Sequence, residues 1–130
     1  MKLHLSSAPG LHLIAAYGEG FVRINETENE QERHLTASLI VMPDNLLPDW
    51  PVPAFDQLRR EHLAVLLEYR PELVILGTGN RHRFPHPALL ADLIAAGIGL
   101  ETMNTGAACR TYNILAAEGR RVAAALIIET

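Results

Sequence analysis

Cysteine occurs once in this 130-residue sequence, as Cys109, and Arg110 follows it directly. A thiol in the first turns of a helix and beside a guanidinium can be shifted toward its nucleophilic thiolate. Such a nucleophile wants a base, and His82 or His86, on a loop expected to face it, could supply one. The competing reading is structural. Ala107, Ala108 and Cys109 are small residues of the kind that pack a helix onto a sheet, and free cysteine is commonly buried. A single cysteine also forms no internal disulfide and no Cys-based zinc site. His82 and His86 are four apart, but Pro85 and Pro87 exclude the regular helix that would put them on one face. The segment Gly77-Thr78-Gly79 lacks the third glycine of a dinucleotide fingerprint. With Lys2 as the only lysine there is no Gly-Lys-Ser/Thr phosphate loop. No metal and no cofactor is therefore expected.

A second constellation is broader. One loop runs through Gly77, Thr78, Gly79, Asn80, Arg81, His82 and Arg83, and another through Asn104, Thr105, Gly106, Cys109 and Arg110. Both contain Thr-Gly, which lets backbone approach a partner closely, and both carry arginine in a chain that is acidic overall. The second also opens a helix, whose free amides and dipole favour an anion. Thr78, Gly79, Asn80, Arg81, Arg83, Asn104, Thr105, Gly106 and Arg110 are accordingly the candidate ligand-binding residues, for a small anion or a carboxylate-bearing partner segment. The alternative is that the glycines only make tight strand-to-helix turns and the arginines are solvated or paired. Asn104, Thr105 and Asn113 serve equally well as caps and turn formers.

The elements that must position these loops follow from the hydrophobic pattern. Leu11 to Tyr17 and Phe21 to Asn25 flank Gly18-Glu19-Gly20 and predict a β-hairpin. Glu26, Glu28, Glu30 and Glu32 then alternate, as in a solvated turn or strand edge. Residues 39–42 predict a short buried strand, and the prolines at 43, 48, 51 and 53 an extended connection without helix. Amphipathic spacing predicts helices near 58–69, 87–96 and 106–118. Between and after them, apolar runs predict strands at 73–77, 98–103 and 122–128. Such alternation implies parallel pairing through crossovers, with 73–76, 100–103 and 122–128 as parallel neighbours. The expected fold is a single α/β domain over 1–130: an N-terminal β-hairpin region plus a three-layer βαβαβ core, its mixed, largely parallel central sheet flanked by helices. Ligands of open α/β sheets bind outside the carboxyl ends of the strands, where both candidate loops lie.

Composition narrows the partners. Hydrophobic residues make up 48% of the chain, enough for a real core, and the formal net charge is −4 with 5% aromatics. That balance does not suit a nucleic-acid binder. The longest uninterrupted apolar run, 122–128, is far short of a membrane span, so no membrane insertion is expected. No signal-peptide core precedes Pro9-Gly10, and a free thiol suits a reducing compartment, so the cytoplasm is the expected location.

Three stretches together carry a family resemblance: Leu73-Val-Ile-Leu-Gly-Thr-Gly-Asn, Met103-Asn-Thr-Gly-Ala-Ala, and Glu118-Gly-Arg-Arg-Val. With them the chain resembles, over essentially its whole length, a family of small single-domain α/β proteins of unknown biochemical activity. The mitochondrial complex I assembly factor and an adipogenesis-associated cytosolic protein are among its eukaryotic members. The resemblance implies a three-layer fold with a central mixed sheet and carries over no catalytic residue. Two functions stand side by side: a non-enzymatic interaction or assembly protein, possible for a respiratory complex, and a small enzyme using Cys109 with a neighbouring histidine.

Overall fold

The computed structural model describes residues 1, 11–26 and 31–129. The hairpin forms as expected, from β1 (His12–Gly18) and β2 (Phe21–Glu26), closed by Glu19 and Gly20. A third strand, β3 (Gln31–Leu35), adds antiparallel to β2 with Val22 opposite Leu35. Of the alternating acids, Glu32 lies exposed on this edge strand, while Glu28 and Glu30 lie outside the described residues.

The larger sheet has five strands in the order β5-β4-β8-β6-β7: β4 (Leu39–Met42), β5 (Asn45–Leu47), β6 (Leu73–Gly77), β7 (Gly99–Met103) and β8 (Val122–Leu126). β7 and β8 both run parallel to β6, which separates them, with Val74 opposite Leu100 and Ile75 opposite Ala124. β4 lies antiparallel on the other side of β8. The predicted connection after Pro43 holds a strand of its own, because Asn45 to Leu47 fold back onto β4. The last strand is shorter than its apolar run: β8 ends at Leu126, although the Ile127 amide still donates to Gly77 at 2.9 Å.

Two of the three predicted helices are segmented. Residues 58–69 become α1 (Arg60–Ala64) followed by a 3-10 stretch over 65–69, and 87–96 become a 3-10 turn and α2 (Ala91–Ala95). Leu63 of α1 and Leu66 of the 3-10 stretch, three residues apart, are both buried. Arg70 leaves the right-handed region (φ +49°) directly before Pro71, where proline disfavours helical backbone. The third helix, α3 (Thr105–Ala117), is regular and is capped by Asn104, whose Oδ1 accepts the Ala107 amide at 2.8 Å.

Alternation along the strands sorts the core into two layers. Leu39, Val41, Ile75, Ala124 and Leu126 pack with Leu13, Ile14, Ile24 and the buried face of α3. Ile40, Met42, Val74, Leu76 and Ala125 pack on the other face with Trp50, Leu58, Leu63, Leu66 and Leu93. The five-stranded sheet is therefore the middle of three layers, between α3 with the small sheet on one side and α1 with α2 on the other. Ala123, Ala124 and Ala125 at its centre let both outer layers approach closely. Among the described residues, no helix is long and apolar enough to cross a membrane.

Candidate functional site

Backbone hydrogen bonds weld the two candidate loops together. The Thr78 amide donates to Met103 O at 2.9 Å, and the Thr105 amide donates to Gly79 O at 2.9 Å. Thr105 Oγ1 accepts the Gly79 amide at 2.9 Å and donates to Ile127 O at 2.7 Å, joining the ends of β6 and β8 to the start of α3. Thr78 is fully buried; its hydroxyl donates to Arg81 O at 2.7 Å and accepts the Arg83 amide at 3.0 Å, holding the loop in a closed turn. Gly79 adopts φ +104° there. A side chain at that position would be both strained and blocked, since a Cβ would lie 1.9 Å from Glu129 Oε1.

That contact introduces a residue which loop reasoning had missed. Glu129, just beyond β8, accepts the Asn80 amide on Oε1 at 3.0 Å and Arg83 Nη1 on Oε2 at 3.0 Å. Burial alone would raise its carboxyl, but the Asn80 amide, the Arg83 hydrogen bond and the charges of Arg83 and Arg81 together hold it below its ordinary value. A carboxylate thus already rests on the first loop, and it is the chain's own. The only hint in the sequence was an acid at the end of an apolar strand run. Periodicity does not show strand order, and with β8 beside β6 its carboxyl end reaches the same place.

A groove of about 200 Å³ lies at this junction, lined by Gly79, Asn80, Asn104, Thr105 and Gly106, with Ile127 to Glu129 beside them and the β1–β2 turn opposite. The connection leaving β6 crosses one face of the sheet through α2 to β7, and the one leaving β7 crosses the other face through α3 to β8, the kind of switch point at which α/β sheets form ligand crevices. Tyr17 approaches so closely that a Cβ at Gly106 would lie 2.9 Å from its ring. The three candidate arginines do not line the groove. Arg83 is drawn to Glu129 and lies 5.8 Å from the Phe55 ring centroid. Arg110 donates to the Tyr17 hydroxyl and stacks over that ring. Arg81 is exposed beside the loop.

The nucleophile chemistry finds no support. Cys109 is fully buried, and burial pushes its thiol up to about 12, outweighing the opposing charge of Arg110. Its candidate bases are engaged elsewhere: His82 Nε2 lies 2.8 Å from the Thr102 hydroxyl, and His86 Nδ1 accepts the Ala88 amide at 3.1 Å. The small residues around Cys109 are packing residues, as the competing reading held. Asn104 acts as a helix cap, and Asn113 bonds the backbone of Ile14. Among the described residues, no three His, Cys, Asp or Glu side chains gather as metal ligands.

The profile of a family described as proteins of unknown function (DUF498/DUF598) matches residues 14–127. The chain belongs to that family. A mouse (Mus musculus) relative, NADH dehydrogenase (ubiquinone) 1 alpha subcomplex assembly factor 3, is 36% identical over 90 residues, covering 68% of this chain and 48% of its own length. The chain thus spans about half the length of that relative. A 13 kDa major membrane protein of Francisella tularensis subsp. holarctica is 26% identical over 85% of this chain and 86% of its own. A crystal structure of a Bordetella parapertussis protein superposes with a TM-score of 0.82 at 34% identity, covering 95% of this chain and all of the other.

Proposed function

We propose that this DUF498/DUF598 protein is a non-enzymatic assembly-type protein that holds a carboxylate-bearing segment of a partner protein, or a small anion, in the crevice between its two Thr-Gly loops. The observation that carries this reading is Glu129. Its side chain rests on the Asn80 amide and the Arg83 guanidinium, so the loop presents donors suited to a carboxylate. Thr78, Gly79, Thr105 and Gly106 shape the backbone of the crevice, and Asn104 caps the helix behind it. Asn80, Arg81, Arg83 and Arg110 supply donors at its margin, an incoming acid exchanging with Glu129 or extending along the rim to Arg81. The name of the mouse relative supports a setting in respiratory-complex assembly. A free, buried thiol suits the reducing cytoplasm, and the net charge of −4 disfavours nucleic acid as the partner.

Acetate and phosphate titrations, followed through backbone amide shifts, test this reading in the wild type and in Glu129→Gln. Saturable shifts at Gly79, Asn80 and Arg83 that strengthen in the variant are expected. Shifts scattered over the surface in both proteins, or none at millimolar ligand, would show the crevice to be only a turn.

A further inference from the structure

Four strands end the two sheets: β1 and β3 in the smaller, β5 and β7 in the larger. An open edge offers unpaired N–H and C=O groups, and proteins blunt it with charge, proline, shortness or a covering group. Three of these edges are blunted. On β1, Asn113 stands in for a strand: its Oδ1 accepts the Ile14 amide and its Nδ2 donates to Ile14 O, both at 2.8 Å. β3 is largely exposed and carries Glu32, Arg33 and His34 in succession. β5 has three residues and runs directly into Pro48.

β7 is the least protected of the four, with a single charge, Glu101, and five residues in regular pairing with β6. Its sequence Gly-Leu-Glu-Thr-Met contains neither proline nor lysine, and no described strand pairs with its outer side. The Gly99 amide donates to Glu72 O at 3.2 Å, and Met103 O accepts the Thr78 amide at 2.9 Å. In a parallel ladder alternate residues bond to a given neighbour, so Gly99, Glu101 and Met103 turn their backbone groups to β6 while Leu100 and Thr102 turn theirs outward. Two exposed apolar side chains belong to segments that contact this strand. Phe84 is 79% exposed and packs 4.4 Å from His82, itself bonded to Thr102. Ile94 is 67% exposed on α2, which packs against β7. Glu101, on the opposite face of the strand, is exposed and forms no ion pair among the described residues.

We infer that the β7 edge receives an extended segment of a partner polypeptide as a sixth strand. That segment carries apolar side chains toward Phe84 and Ile94 and a cationic side chain opposite Glu101. A second copy of this chain fits worse. Antiparallel self-pairing through Leu100 and Thr102 sets Glu101 opposite Glu101 of the second copy, and like charges directly opposite are destabilising. The inference rests on the proposed function only in taking the partner to be a polypeptide, and it uses a different surface from the crevice.

The probe is a capped octapeptide of alternating valine and lysine, with a valine–glutamate counterpart, titrated into the full chain. Saturable amide shifts and slowed hydrogen exchange at Leu100 and Thr102 are expected with the lysine peptide. Binding weakens about threefold in Glu101→Gln, and Glu101→Lys shifts preference to the glutamate peptide. Thr102→Pro removes an outward donor and abolishes the shifts; should proline disturb the fold, the charge-swap variant stands on its own. Three results overturn the inference: shifts confined to Gly79 and Asn80, no saturation at millimolar peptide, or shifts at Leu100 and Thr102 that follow protein concentration without peptide. The acetate response at Asn80 reads the other surface, so either account can fail alone.

Discussion

Two hollows of about 200 Å³ each lie at opposite ends of the five-stranded sheet, and they are built from different materials. At the amino end of β6 and β8, the hollow is walled by Leu11, Met42, Pro43, Tyr69, Pro71 and Val122. Its arginines are staples. Arg121 donates to Tyr69 O at 2.8 Å and to Arg70 O, taking up carbonyls left free where the 3-10 stretch ends, and Arg120 pairs with Glu72 at 3.1 Å. At the carboxyl end, glycine and threonine backbone forms the wall and a carboxylate sits on it. At both ends an arginine and a backbone amide hold a carboxylate: Arg120 and the Arg121 amide hold Glu72, and Arg83 and the Asn80 amide hold Glu129. A guanidinium with its acid therefore does not mark a site; what distinguishes the carboxyl end is that its pair rests beside a glycine and threonine backbone crevice at a topological switch point.

Glycine substitutions give the largest expected contrast between the two ends. Gly79→Ala combines left-handed strain with collision against Glu129, and should cost about 3 kcal/mol in urea unfolding. Gly119→Ala has a similar φ of +84° but open space around it, and should cost only about 1 kcal/mol. Equal losses would mean that Glu129 yields freely and does not clamp the loop.

The next effect is smaller and depends on pH. Glu129→Gln removes charge-assisted bonds to Asn80 and Arg83 and should cost about 1 kcal/mol near neutrality. Because the folded carboxyl is held below its ordinary 4.5, its contribution is fully present above that value and is lost as pH falls through the lower folded value. Unfolding curves of wild type and variant should therefore converge in acid. A gap that persists unchanged under acid conditions would exclude an ionic contact.

At the amino end, Arg120→Ala breaks an exposed pair and should change stability by less than about 0.5 kcal/mol. The smallest expected signal is chemical. Native Cys109 should resist iodoacetamide at pH 8, because burial keeps the thiol protonated, and become labelled only on unfolding. Rapid native labelling would reopen the nucleophile reading.

Much of this architecture was legible in the sequence. α3 shows its Asn104 cap and its closing Gly119, and the apolar runs of β6 and β8 announce strands covered on both faces. β5 was not legible, since three residues between prolines carry no period. The leucines of 58–69 fit an α-helix and a 3-10 stretch alike, so the segmentation stayed hidden. The two loops were found by type and position, but Glu129 depends on which strand lies beside β6. The Asn113 amide that closes the β1 edge likewise joins residues 99 apart, a pairing that only the folded chain brings about.

Photo-crosslinking in the native host tests the central claim most directly. A photoreactive residue replaces Asn80 at the carboxyl-end crevice, and in a separate chain the exposed Glu118, next in sequence to Gly119 of the amino-end hollow. The account predicts a discrete protein adduct from position 80, diminished by an added Arg81→Ala and Arg83→Ala, and none from position 118. A discrete adduct from position 118 alone, or equal adducts from both, would contradict it.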